Sequence, residues 1–425
     1  MKYMRKGVST TVATVMAIIA LVIGVVIGYA ATTITATTAE KAGGLKGEVP
    51  IGVLLPLSGP LASYATNDKI AAQAAAEEVN AFLEKAGANW RIKLYIEDTE
   101  LKPAVGLEKL QSLYAKGVRI VIGPMASSVL KQLKEYADSN KILVISQSST
   151  GVDLAIPDDF IYRFPPSDVY QGPIGPRFAK KLGVTHIIFV WRGNTWGDGL
   201  ERVAEKTAKD LGIQVAGKIR YSPEATEFSA EVSNLVNLVN KLVDQGVAPE
   251  KIMVQLISYE EAKAFFLTAA DYDILWKVKW FGSDGTAYSS KLLEDPKVAE
   301  FVSTVRFVSP TFAPTKTPKY VELTEKIKSE TGSAPEPYAY NTYDEVWAIA
   351  YALLAVNKYD SETVKNVLPD ILQHYYGASG YIVLDKNGDR VVESYELTEI
   401  VKTASGFEWR ATGTYMTATG EIIWE

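Results

Sequence analysis

The stretch IGVLLPLSGPLASYA, residues 51–65, decides the fold. Its apolar run, 49–55, is unbroken and stops at Pro56, the mark of a strand buried on both faces. Ser58-Gly59-Pro60 then makes a short polar turn, and 67–85 is alanine-rich with helical periodicity. Strand, glycine-containing turn and helix in that order begin an α/β unit. In open α/β sheets ligands are taken beyond the carboxyl ends of the strands, where such turns lie.

Working outward, the same alternation continues. Segment 91–97 reads as a strand, and 103–116 as a helix opened by Pro103. Strands at 119–122 and 141–146 flank a helix at 127–138. A second series follows Phe164-Pro165-Pro166, with strands at 186–192, 214–221, 252–258 and 278–282. Helices are expected near 198–211, 228–245, 260–271, 319–330, 341–356 and 361–375. Near the C-terminus, 381–384 and 391–397 flank Asn387-Gly388, a type I′ hairpin signal. Two βαβα series imply two lobes, each a parallel sheet with helices on both faces.

Composition narrows the chemistry. The 425 residues carry 44 basic and 50 acidic side chains, a net charge of -6, which argues against a nucleic-acid partner. With no cysteine, there is no disulfide, thiolate metal site, thiol nucleophile or lipidated cysteine. His186 and His374 are the only histidines, too few for a histidine-rich metal site, and both read as structural. Glu97 with Asp98 and Glu260 with Glu261 are adjacent pairs whose side chains point apart, which disfavours an acid/base dyad. Asp385 to Asp389 lacks the spacing of a calcium loop and reads as a turn. No enzyme, metal or cofactor is expected.

Lys2, Arg5 and Lys6 precede an uncharged stretch that lasts until Glu40. Segment 8–31 would span ~36 Å as a helix, enough for a bilayer core. The basic flank keeps the N-terminus inside and sends the body out. Residues 1–31 are therefore expected to be a signal or membrane anchor. Residues 32–47, rich in Thr, Ala and Gly, are expected to form a stalk. Lys6-Gly7-Val8-Ser9-Thr10 resembles an archaeal class III, pilin-like signal, whose peptidase cuts after the Lys-Gly pair and leaves the apolar helix in place.

Four loops expected at strand ends are short, polar and glycine-containing or hydroxyl-rich: 58–60, 123–128, 146–150 and 282–285. Each offers free N–H groups and hydroxyls suited to a carboxylate. In order, the stretches IGVLLPLSGPLASYA, GVRIVIGPMASSV, VISQSSTGVDL, YRFPPSDVYQG, NTWGDGLER and WFGSDGTAYSS resemble the leucine/isoleucine/valine-binding proteins of ABC importers. The likeness runs from about Pro50 to Leu397. It implies the type I periplasmic-binding fold, two Rossmann-like lobes joined by a three-strand hinge. The lobes would be discontinuous: 48–167 with 309–378, and 168–308 with 379–425, crossing near 164–168, 307–311 and 377–381.

The resemblance also implies a site. Tyr64 would be a wall over the ligand. Ser127 would hold its carboxylate and ammonium, and Ser148 and Thr150 would grip the same groups. Trp196, where the family often has tyrosine, and Tyr259 would close from the second lobe. Asp284, where amino-acid binders usually have glutamate, would take the ammonium. Asp344 follows Tyr343 as in the family's Tyr-Asp pair and is read as structural. The function implied is capture of a branched-chain or other apolar amino acid outside the cell and its delivery to a permease and ATPase. The alternatives are a sensor ectodomain acting through a partner, and a binder of an amide, urea or organic acid.

Overall fold

The computed structural model describes residues 44–424. The expected anchor and the stalk up to residue 43 lie outside them. Among the described residues no helix is long and apolar enough to cross a membrane.

The decisive run forms β1, Gly47–Leu55. Its alternate residues Val49, Ile51, Val53 and Leu55 enter one core, while Leu54 enters another on the opposite face. Both faces are therefore dry, as an uninterrupted apolar run requires. Parallel strands join it as β2 (Trp90–Asp98), β3 (Ile120–Ile122), β4 (Leu143–Ser146) and β5 (Ile161–Arg163), in the order β2-β1-β3-β4-β5. Helix Ala62–Lys85 buries a mostly alanine face and lies along helix Tyr338–Val356, which is also rich in buried alanine. Small side chains let the two axes come close. Helices Pro103–Ala115 and Ser127–Ser139 cover the other face.

The second sheet is parallel too: β6 (His186–Arg192), β7 (Gln214–Tyr221), β8 (Ile252–Ile257) and β9 (Lys279–Phe281), ordered β7-β6-β8-β9. Phe281 bridges to Val308, which leads into β10 (Ser309–Phe312). A two-stranded ribbon, β11 (Tyr376–Gly377) and β12 (Gly380–Tyr381), precedes β13 (Ser394–Thr403), β14 (Gly406–Met416) and β15 (Ile422–Trp424). The antiparallel order is β10-β13-β14-β15.

Most expected elements shift by a few residues at their ends, and two of the differences have a clear physical reason. The first helix begins at Ala62 instead of 67, because Ala62 N–H already bonds Gly59 and Ala65 N–H bonds Leu61. The polar residues Asn67 and Asp68, where the expected helix began, are buried. The Asn387-Gly388 turn exists, closed by a bridge between Leu384 and Arg390, but the strand after it starts only at Ser394 and pairs with β10 and β14. Asp389 and Arg390 are held by Arg163, Asn341 and Ser379, so the chain pairs again only beyond them.

That hold is specific. The Arg163 guanidinium, 1% exposed, makes two 2.5 Å bonds to the Asp389 carboxylate and a 2.7 Å bond to the Gly151 carbonyl. Arg390 donates to the Asn341 and Ser379 side chains and to the carbonyls of Ser379 and Tyr381. Asp344 accepts from Tyr375, Ala378 and Ser379. Removing one partner of a buried pair strands the other charge. Asp389→Ala should therefore destabilise the protein by about 3–5 kcal/mol in urea unfolding, whereas Glu48→Ala, at an exposed pair with Lys93, should change it by less than about 1 kcal/mol.

Candidate functional site

Parallel strands deliver their carboxyl ends to one edge of each sheet, and here the two edges face each other. Gly123 follows β3 with φ +89°, and a Cβ there would run into the Leu54 carbonyl, so only glycine lets this turn pass beneath β1. Ser127 then starts its helix. Its hydroxyl lies 2.9 Å from that of Ser149 and accepts from Gly151 N–H at 3.1 Å. The loop after β4 is braced by Ser146, which donates to the Pro124 carbonyl and accepts from Ser149 N–H. Thr150 turns its hydroxyl to Asp168, at 2.9 Å.

From the second sheet, Asn194 caps helix Thr195–Asp210 by accepting from Gly197 N–H. That cap sets Trp196, which stacks on Tyr259 with centroids 4.6 Å apart and planes 20° from parallel. The Arg192 guanidinium backs Tyr259 at 4.9 Å. Asp284 follows β9. Its N–H donates to Gln171 Oε1 at 2.9 Å, and its Oδ2 accepts from the Tyr338 hydroxyl. Its Oδ1 is buried and has no partner.

These residues meet. One chamber is lined by Tyr64, Ser127, Ser148, Thr150, Trp196, Tyr259 and Asp284, all seven positions singled out in the sequence, together with Leu61, Met125, Gly285 and Tyr338. Tyr338 is the most informative of the four that sequence reading missed. It stands where the polar run Tyr338 to Glu345 opens an otherwise apolar helix, and buried polar residues on such a helix were the available signal. Asp344 lies outside the lining.

The empty space at the site is about 290 Å³, its mouth to solvent included. The lobes are shut over it. Tyr64 donates to the Ala287 carbonyl at 2.6 Å, Ser63 donates to Glu260 at 2.6 Å, and Glu260 N–H bonds the Pro60 carbonyl. Glu260 thus serves as a clasp. Its neighbour Glu261 pairs with Arg192 and Tyr221, so neither forms an acid/base dyad. Asp98 caps its own loop through the N–H groups of Leu57 and Glu100.

Burial governs the electrostatics. It raises the carboxyl of Asp284 above its usual range, against the pull of Tyr338 and Gln171. Asp168 is raised well above its range by burial and then by the Asp284 charge. Behind the 146–150 loop, Asp68 accepts from Gln147 and is pushed up to about 7, chiefly by burial. Among the described residues, no group of three or more acids or histidines could hold a metal ion.

A model of the family described as periplasmic binding protein matches residues 48–406. The chain belongs to the periplasmic binding protein family. An uncharacterized protein of Methanocaldococcus jannaschii is 32% identical over 92% of this chain and 94% of its own length. Leu/Ile/Val-binding protein homolog 1 of Brucella melitensis is 24% identical over 86% and 93%. The crystal structure of a leucine binding protein from Thermotoga maritima superposes with a TM-score of 0.70 at 19% identity, covering 88% of this chain and 98% of that one. Family and fold are those of substrate-binding proteins, not of enzymes, and the family implies a place outside the cytoplasm.

The raised acids have a pH consequence. A carboxyl whose value is higher folded than unfolded stabilises the fold fully below its unfolded value, near 4, and loses that contribution as pH rises through its folded value. For Asp68 the window is about 4 to 7. The melting temperature should fall between pH 5 and pH 8. Asp68→Asn should shrink that drop by about 2 °C or more, read by differential scanning calorimetry at both pH values.

Proposed function

We propose that this protein is the extracytoplasmic solute-binding component of an ABC importer and that it captures an amino acid with an apolar side chain. The observation that carries the reading is Asp284. It is a buried carboxylate with an unpartnered oxygen, in a chamber whose other walls are hydroxyls and aromatic rings. An enclosed acid calls for a cation, and serine hydroxyls with loop N–H groups call for a carboxylate. An α-amino acid carries both. The Leu/Ile/Val-binding name of the Brucella relative agrees with this class.

In the proposed cycle the ligand docks first on Ser127, Ser148 and Thr150. Closure about segments 164–168, 307–311 and 377–381 then brings Trp196, Tyr259 and Asp284 onto it. The lobes would be 48–167 with 309–378 and 168–308 with 379–425. A permease and ATPase would receive the closed form. The closed state is favoured by contacts that exist only in it, such as the Tyr64 bond to Ala287.

Titration calorimetry with leucine, isoleucine, valine, alanine and their des-amino and amide analogues tests the ligand class. Amino acids should bind and des-amino acids should not, and the complex should be more compact in small-angle scattering. Asp284→Asn keeps the shape but removes the charge, and should weaken binding by roughly 2–5 kcal/mol. Equal binding of des-amino acids, or unchanged affinity in Asp284→Asn, would overturn the reading and leave an amide or organic-acid binder on the same fold.

The anchor belongs to the same proposal: residues 1–31 hold the protein at the outer face of the membrane, with 32–47 as stalk. The basic flank and uncharged run support it. Intact mass of the native protein should give a chain that retains 8–31, beginning at Met1 or at Val8. A mature chain that begins beyond residue 31 would rule the anchor out.

A further inference from the structure

Asp284 does not stand alone. The Gln171 side chain bridges it to Asp168: Nε2 donates to Asp168 Oδ1 at 2.7 Å, and Oε1 accepts from Asp284 N–H. Asp168 is fully buried, and its second oxygen accepts from Thr150, a wall of the chamber. The groups that face the two carboxyls from the surrounding elements are Tyr64, Tyr259, Tyr338 and Tyr395, with Tyr170 near Tyr395. Among the described residues the cation that acts on Asp168 is Arg163, and its guanidinium is taken by Asp389 and the Gly151 carbonyl.

Resting on the amino-acid reading, we propose that Asp168 and Asp284 act as one carboxyl pair that holds a proton while the chamber is without a cation and releases it to solvent when the ligand's ammonium reaches Asp284 Oδ1. The step balances. A protonated carboxyl and an incoming ammonium give a carboxylate–ammonium pair and one hydrogen ion in the medium. Asp168 is the positioning residue. It touches no ligand, but its charge sets whether Asp284 meets the ligand ionised. Two carboxyls in a dry site with no free cation cannot both ionise without strong repulsion. Burial raises both, and the Asp284 charge raises Asp168 further, in agreement with that geometry. Their titration belongs to the pair. Affinity therefore falls as the medium becomes more acidic, because a larger fraction of the protein carries the proton that binding must displace. Capture is strong at neutral pH and weaker in acid.

The experiment is calorimetry with the tightest-binding amino acid of the panel, in phosphate and in imidazole at matched pH between about 6 and 8. These buffers differ in ionisation enthalpy, so the difference in observed heat counts protons. Roughly 0.3–1 proton should be released per ligand near pH 6, and the number should decline as pH rises. Asp168→Asn should still bind, with the released proton reduced by at least half and a flatter dependence of affinity on pH. Calorimetry on the wild-type protein needs no variant and stands if Asp168→Asn fails to fold. Heats independent of buffer, proton uptake, or an Asp168→Asn protein that releases as much as the wild type would each overturn the pair. If des-amino acids bind as tightly as amino acids, the amino-acid reading itself falls and this inference with it. If amino acids bind selectively without proton release, only the pair is wrong.

Discussion

The buried guanidinium of Arg163 is the tie on which the rest of the arrangement depends. It sits at the end of β5, where the chain is about to leave the first sheet. It grips Asp389, where the chain has returned, and the carbonyl of Gly151, in the loop that carries Ser148 and Thr150. One side chain therefore fixes the first crossing, the last crossing and a wall of the chamber relative to one another. An ammonium could not do the same. The planar fork makes two parallel bonds to the carboxylate and keeps donors for the loop. Arg390 and Asp344 repeat the principle on either side of Ser379, so the return segment is pinned from three directions.

Around that tie, the distribution of polar groups follows the direction of the strands. Parallel strands concentrate free N–H groups and loop hydroxyls at one edge, and two such edges are opposed across the seam. The seam is thus dense in buried polar side chains. Nearly all the acids there are opposed by hydroxyls and amides, not by bases: Asp284 by Tyr338, Asp168 by Thr150 and Gln171, Asp68 by Gln147, and Glu260 by Ser63 and Ser289. An interior built this way favours protonated carboxyls, unless a positive charge arrives from outside.

The parallel architecture was legible because its signal is local. Unbroken apolar runs such as 49–55 and alanine-rich periodicity need no partner to be recognised. That the seven candidate residues would come together was legible because they lie in the loops and first helical turns that follow those strands, in stretches that resemble a family's loops. What escaped depended on pairing at a distance. Tyr338 reaches the chamber from a helix distant in sequence, and Asp168 and Gln171 act through Asp284, more than a hundred residues away. The strands 394–403 and 406–416 form an antiparallel hairpin, but the sequence signal at Asn387-Gly388 named a separate turn that precedes them. The first helix was read short because bonds from the preceding turn, Ala62 N–H to Gly59 and Ala65 N–H to Leu61, start it before the alanine-rich run.

The slab formed by Trp196 and Tyr259, braced by Arg192, has a consequence for how such a protein changes over time. It belongs to the second lobe and makes its own contacts, while the hydroxyl-bearing loops belong to the first. Trimming or thickening the slab would alter the room beside it without disturbing a single bond that holds those loops. Gly285 packs against both rings and would transmit even one added methyl into them. The chamber's shape and its charge chemistry are thereby separable, and selection can retune one by single substitutions while the other is inherited intact.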